Sequence, residues 1–252
     1  MGRRARAALV PWLSTPWRYA AVILAVTLAG LGLDHYAGMQ GQIALSVCTW
    51  IILLASCVPL RPEERAQVTV VVLVATCAEI IGSIIWRVYE YRMGNLPLFV
   101  PAGHGLVYLV GLRLSQSALA LRRPRVMVGA AVLGVGTWAA IGLSGVLGRV
   151  DVAGAVGATV LVIFLLKGRA PTVYAGVFFF VAFLEIYGTA VGTWRWAAEV
   201  PGLGVSDGNP PSGAAAGYVF FDIAALALAP YLLRAWYAVR GRAALDPVPA
   251  EG

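Results

Sequence analysis

Residues 75–108 read A-T-C-A-E-I-I-G-S-I-I-W-R-V-Y-E-Y-R-M-G-N-L-P-L-F-V-P-A-G-H-G-L-V-Y, and a looser copy returns at residues 182–218. The second copy reads A-F-L-E-I-Y-G-T-A-V-G-T-W-R-W, then a loop ending G-N-P-P-S-G, then A-A-A-G-Y. Each carries a Glu inside an apolar run (Glu79, Glu185) with a Gly three residues on (Gly82, Gly188). A Trp-Arg pair follows (Trp86-Arg87, Trp194-Arg195), then an Asn (Asn95, Asn209), a Pro-x-Gly (101–103, 211–213) and a Tyr (Tyr108, Tyr218). A carboxylate inside a membrane helix is costly and marks function by default.

The surrounding chain sets that reading. Of 252 residues, 60% are hydrophobic and only 12% are charged, against about 25% charged in a soluble domain. The chain is therefore expected to be an all-α, multi-pass membrane bundle. Its net charge of +7 does not point to nucleic acid, because the arginines stand in short loops between apolar runs, where they set topology. Cys48, Cys57 and Cys77 lie in apolar stretches with no metal-site or redox spacing, so they read as inert thiols. Two histidines exclude a histidine-box desaturase. Neither a cofactor nor a metal is expected.

Eight spans are expected, near 19–33, 43–60, 67–88, 103–121, 126–147, 152–166, 172–194 and 213–237. They form two tandem four-span repeats, 19–121 and 126–238. A basic cytoplasmic N-terminus (1–18) precedes them, and a polar, disordered cytoplasmic tail (239–252) follows. Arg and Lys crowd the termini and the even-numbered loops. The odd-numbered loops carry only Arg87, Arg92, Arg149 and Arg195. The positive-inside rule then places both termini in the cytoplasm of a plasma-membrane protein and turns the two long loops, 87–102 and 195–212, outward. Halves with an even number of spans are parallel.

At 1.5 Å per residue, Glu79 lies roughly 10 Å below the aromatic belt at Trp86, and Glu185 roughly 13 Å below Trp194. Counting from the start of the returning helices, Asp222 lies roughly 13 Å deep and Arg113 about 15 Å. The spacing thus predicts a shared depth for Glu79, Glu185, Asp222 and Arg113, with an excess of carboxylate. Glu79, Glu185, Asp222 and His104 are the candidate acid–base residues. Trp86, Tyr108, Trp194, Trp196, Tyr218 and Arg113 are the candidate ligand-binding residues. Alternative roles stay open for each: a hydrogen bond between helices for the Glu residues, an ion pair for Asp222 with Arg113, interface anchoring for the tryptophans and for Tyr89 and Tyr91. Glu90, Glu199 and Asp207 read as solvated, and Asp34 with His35 as the start of a loop.

The run Glu79-x-x-Gly82, Trp86, Tyr89, Tyr91 and Pro97-Leu98-x-Val100-Pro101 resembles the membrane-embedded carotenoid hydratase type of carotenoid-biosynthesis protein. Over about 25 residues of one half, the resemblance implies acid-initiated addition of water to a polyprenoid double bond. Three functions are carried forward: an acid–base enzyme acting on a lipid or isoprenoid, a small proton-coupled transporter, and a non-catalytic membrane subunit whose protein partner the sequence does not name. The first two imply the bilayer and an apolar or lipid-like small molecule as the partners.

Overall fold

A computed structural model describes residues 15–239. The expected N-terminal segment and tail lie largely outside those residues. Eight long helices occupy the eight expected positions: α1 (Pro16–Tyr36), α2 (Met39–Cys57), α3 (Pro62–Glu79), α4 (Phe99–Ser115), α6 (Pro124–Leu143), α7 (Val152–Lys167), α8 (Pro171–Ala190) and α9 (Ala214–Val239). The short α5 (Ala118–Arg122) follows α4. Proline opens α1, α3, α6 and α8, where its fixed φ suits a first turn and its missing N–H costs nothing. Six helices, counting α3 with its extension to Ile85, are long and apolar enough to cross a membrane. Large apolar side chains such as Leu33, Leu54, Leu73, Leu133 and Phe183 face outward from them. The protein is an all-α membrane bundle.

α3 packs along α9, and α4 along α8. The α4–α8 crossing is close because Gly111 faces Gly176. A Cβ on Gly176 would lie 3.1 Å from the Gly111 Cα. Small residues of this kind drive helix association in lipid, where backbone approach replaces the hydrophobic effect. α1 rests on α4 and α8, and α2 on α4, while α1 and α2 touch one another only sparsely.

The helical rise of α3 continues past Glu79 as a wider, π-helical turn over Ile80–Ile85. Its mark is the Trp86 N–H, which reaches back five residues to the Ile81 carbonyl at 2.7 Å. Beyond it, β1 (Tyr89–Tyr91) pairs antiparallel with β2 (Trp194–Trp196), in the register Tyr89↔Trp196, Glu90↔Arg195, Tyr91↔Trp194. The two motif copies therefore meet as a two-stranded lid across the loop end of the bundle. A hairpin of β3 (Glu199–Val200) and β4 (Val205–Ser206) flanks it.

Two buried aspartates clamp the loops beneath this lid. Asp34, expected at the start of a loop, sits in the last turn of α1 and is fully buried; it accepts from Gln42 Nε2 at 3.1 Å and lies 3.7 Å from Arg92 Nε. Asp151 caps α7 through the Gly154 N–H at 3.0 Å. It also accepts from the N–H groups of Gly208 at 2.9 Å and Ser212 at 2.7 Å. Asp207, expected to be solvated, is only 4% exposed. Burial first, and then the neighbouring Asp151 charge, push its carboxyl up to about 7.

A carboxyl raised in the folded state favours folding most when protonated. Its contribution is full below the unfolded value and is lost as pH rises through the folded one. Thermal unfolding in detergent is expected to show stability falling as pH rises to about 7. Asp207→Asn, which cannot ionise, should flatten the fall in stability between about pH 4 and pH 7.

Candidate functional site

Glu79 ends α3 and is 6% exposed. Its Oε2 accepts two phenol hydrogens, from Tyr91 at 2.8 Å and Tyr89 at 2.9 Å. Its Oε1 lies 3.3 Å from Nε2 of His104, on α4. The other ring nitrogen, Nδ1, sits 3.0 Å from the Val100 carbonyl. A carbonyl only accepts, so Nδ1 carries a hydrogen. Nε2 and Oε1 then face each other, and a proton carried by either atom would bridge them. Tyr218 stacks on the imidazole, with ring centres 5.0 Å apart and planes at 20°, and Phe221 meets it edge-on at 5.4 Å.

Glu185, on α8, is 3% exposed. Its Oε2 accepts from the indole N–H of Trp194 at 3.0 Å and of Trp196 at 3.1 Å. The Tyr218 hydroxyl also reaches its carboxyl. Each glutamate is thus held by the aromatic pair of its own motif copy. Strand alternation makes this possible: the outer residues of each three-residue strand point to one face and the middle residue to the other. Tyr89, Tyr91, Trp194 and Trp196 turn inward, while Glu90 and Arg195 are exposed.

The glycines of the repeated motif give these aromatics room. A Cβ on Gly188 would collide with the six-membered ring of Trp194. A Cβ on Gly82 would lie 2.9 Å from the Tyr89 hydroxyl oxygen and 3.2 Å from ring carbons. The Gly three residues after each Glu is the seat of the ring that donates to that Glu.

Both glutamates, His104, the four lid aromatics and Tyr218 line one cavity of about 220 Å³. Its remaining wall is apolar or weakly polar, with Phe99, Val100 and Val107 from α4 and Phe180 and Leu184 from α8. Val26, Thr27 and Gly30 of α1 and Leu45, Thr49 and Ile52 of α2 close it on the side. Val26, near the middle of α1, lines the cavity and is also 42% exposed, so the wall there is one side chain thick.

The structure places the other candidates elsewhere. Asp222 is 2% exposed and its Oδ2 lacks a hydrogen-bond partner among the described residues. It lies in the field of Tyr108 and Tyr174, outside the cavity lining. Tyr108 donates to Gln67 Oε1 at 2.9 Å and does not line the cavity either. Both stand four residues, about 6 Å of helix, beyond a lining residue: His104 in one case, Tyr218 in the other. Their chain neighbours Val107 and Phe221 do line the cavity, so it is the helix face and not depth that keeps them out. Arg113 sits in the last turn of α4 beside Gln116, 3.4 Å away, and forms no ion pair with Asp222. Trp86 is 46% exposed and donates to the Pro201 carbonyl at 2.9 Å, outside the cavity. Sequence reasoning took Tyr89 and Tyr91 for anchors. The Tyr-x-Tyr and Trp-x-Trp alternation was the signal that two strands present rings to one face. Among the described residues, no group of three or more His, Cys, Asp or Glu side chains is disposed to hold a metal.

No protein-family model, curated protein or solved structure matches the chain. Its site therefore has to be read from its own geometry.

Gly188→Ala is expected to expel the Trp194 ring from Glu185 and to destabilise the protein by about 1–3 kcal/mol, the usual range for overpacking. Gly82→Ala should cost less, because the phenol end of Tyr89 is partly exposed and can yield. Thermal unfolding in detergent, with tryptophan emission for the Gly188 variant, checks both.

Proposed function

We propose that the protein is an intramembrane acid–base enzyme acting on a lipid or isoprenoid molecule. The observation that carries this reading is the convergence of Glu79 and Glu185, from different helices, on one otherwise apolar chamber. The thin wall at Val26, near the middle of α1, supports a substrate that arrives from the bilayer. A water-soluble solute would need a path through the lid.

In this reading the Glu79–His104 pair supplies the proton. An alkene carbon takes it as its π bond breaks, leaving a carbocation on the neighbouring carbon. The faces of Trp194, Trp196 and Tyr218 stabilise that cation. Glu185, already turned toward N–H and O–H donors, accepts the proton that a water loses as its oxygen bonds to the cation. The sum is addition of water across the double bond. Proton return from Glu185 to the Glu79–His104 pair resets the site. Two carboxyls in unlike surroundings suit such a division of roles. The limited resemblance to carotenoid hydratases points the same way.

The reading takes the bundle as eight spans in two parallel four-span halves, with both termini cytoplasmic and the lid outward in the plasma membrane. The exchange of partners between halves supports the repeat, since α3 lies on α9 as α4 lies on α8. That same exchange favours a second reading, a proton-coupled carrier, in which the two acids alternate. Proton-driven uptake into vesicles, lost in both glutamate variants, would select the carrier.

Lipid extracts of cells expressing the wild type are expected to contain a hydrated product that is absent without it. Glu79→Gln and Glu185→Gln should each lower that product by about 100-fold or more, the scale of a lost general acid or base. Unchanged lipid profiles in both variants, measured by mass spectrometry at matched protein levels, would sink the enzyme.

A further inference from the structure

Four arginines stand at the loop end of the bundle, against the charge bias of the rest of the chain. Arg92 is accounted for by Asp34. The other three, Arg87, Arg149 and Arg195, come from separate segments: the turn before β1, the connection between α6 and α7, and the middle of β2. All three line one cleft of about 370 Å³. Glu90 is the single carboxylate in that lining, and among the described residues none of the three arginines forms an ion pair. Arg149 is fixed by its Nη1, which donates to the carbonyls of Trp196 at 2.9 Å and Ala197 at 3.2 Å. Arg87 holds φ at +58°, a left-handed conformation that is costly for a residue with a Cβ and that collects at ligand-binding positions.

We propose that this cleft binds a phosphate-class anion. Three arginines line the cleft against the one carboxylate of Glu90, and although Arg149 also feels the Asp207 carboxyl, the excess positive charge favours an anion. The planar Arg fork matches phosphate oxygens in pairs. The floor of the cleft is formed by Tyr89 and Trp196, which also line the acidic chamber on their other side. The anion therefore sits directly above the lid. Either a free phosphate or the phosphate of a lipid headgroup supplies this chemistry. The proposal stands apart from the acid–base reading, because binding is measured without turnover.

The test uses the full chain purified in a nonionic detergent, with radiolabelled inorganic phosphate and dihexanoyl phosphatidic acid as probes. The variants are Arg87→Asn, since Asn tolerates the left-handed conformation, and Arg195→Gln. Their combination is expected to weaken at least one probe by about tenfold or more, as loss of charge-assisted hydrogen bonds does. Weakening of both probes assigns the cleft to the free anion, and weakening of phosphatidic acid alone assigns it to a headgroup. In the wild type, bound probe should slow phenylglyoxal modification of Arg87 and Arg195, a readout that needs no variant to fold. Equal affinity of wild type and double variant for both probes, no binding by the wild type, or modification rates unmoved by either probe would overturn the proposal.

Discussion

Two carboxylates buried in an apolar bundle are held by four aromatic donors on a two-stranded lid, and the remainder of the loop end is arranged around that contact. An unpaired carboxylate at this depth would be expelled or neutralised. Here each one accepts two hydrogen bonds from rings that are themselves at home at a membrane boundary. The dependence runs both ways. A slip of one residue in the ladder would turn Glu90 and Arg195 into the chamber and leave both glutamates without their donors. The carboxylates therefore hold the register of strands too short to specify it by themselves.

The lid in turn needs fixed ends, and the two halves solve this with the same residue type by different contacts. In the first half Asp34 works through side chains: Gln42, Arg92, and Asn95 by way of its 2.8 Å bond to Gln42 Oε1. In the second half Asp151 works through backbone N–H groups at Gly154, Gly208 and Ser212. Asn209 completes the anchorage by accepting from the Trp196 N–H at 2.9 Å. Asp34 stands at the α1–α2 connection and Asp151 at the α6–α7 connection, and each reaches one of the two long loops. An apolar bundle cannot satisfy long loops with water on all sides, so it spends buried acids on them.

The sequence made the helices and the repeated motif legible, because apolar runs and Pro, Gly and Arg punctuation are local signals. It also made legible that Glu79, Glu185, His104, Trp194, Trp196 and Tyr218 belong together. What it could not give was the lining of the chamber. Rise per residue fixes depth along each helix separately, but not which helix face turns to the chamber. Tyr108 and Asp222 follow directly on the lining residues Val107 and Phe221 but sit on another face of their helices, although the spacing put Asp222 level with Glu185. Arg113 was read as the partner of these acids, yet it sits near the far end of α4. The reason for the motif glycines was hidden for the same cause: Gly82 and Gly188 matter through Tyr89 and Trp194, residues placed against them by the turn and the strand.

The geometry also constrains how charge can move in the chamber. Any step that changes its net charge would pay the full cost of an ion in an apolar interior. The Glu79–His104 contact avoids that cost, because a proton that bridges the two atoms leaves the pair with the same total charge in either position. Glu185 differs: its donors are N–H and O–H groups that hold their hydrogens, so no proton is shared across those contacts. A chamber roofed by rings therefore contains one acid beside an imidazole and another beside indole donors. An apolar chain entering beside Val26 would meet both without bringing bulk water with it. That asymmetry, produced by phenols and an imidazole around one acid and indoles around the other, is what turns two copies of a motif into two different functional groups.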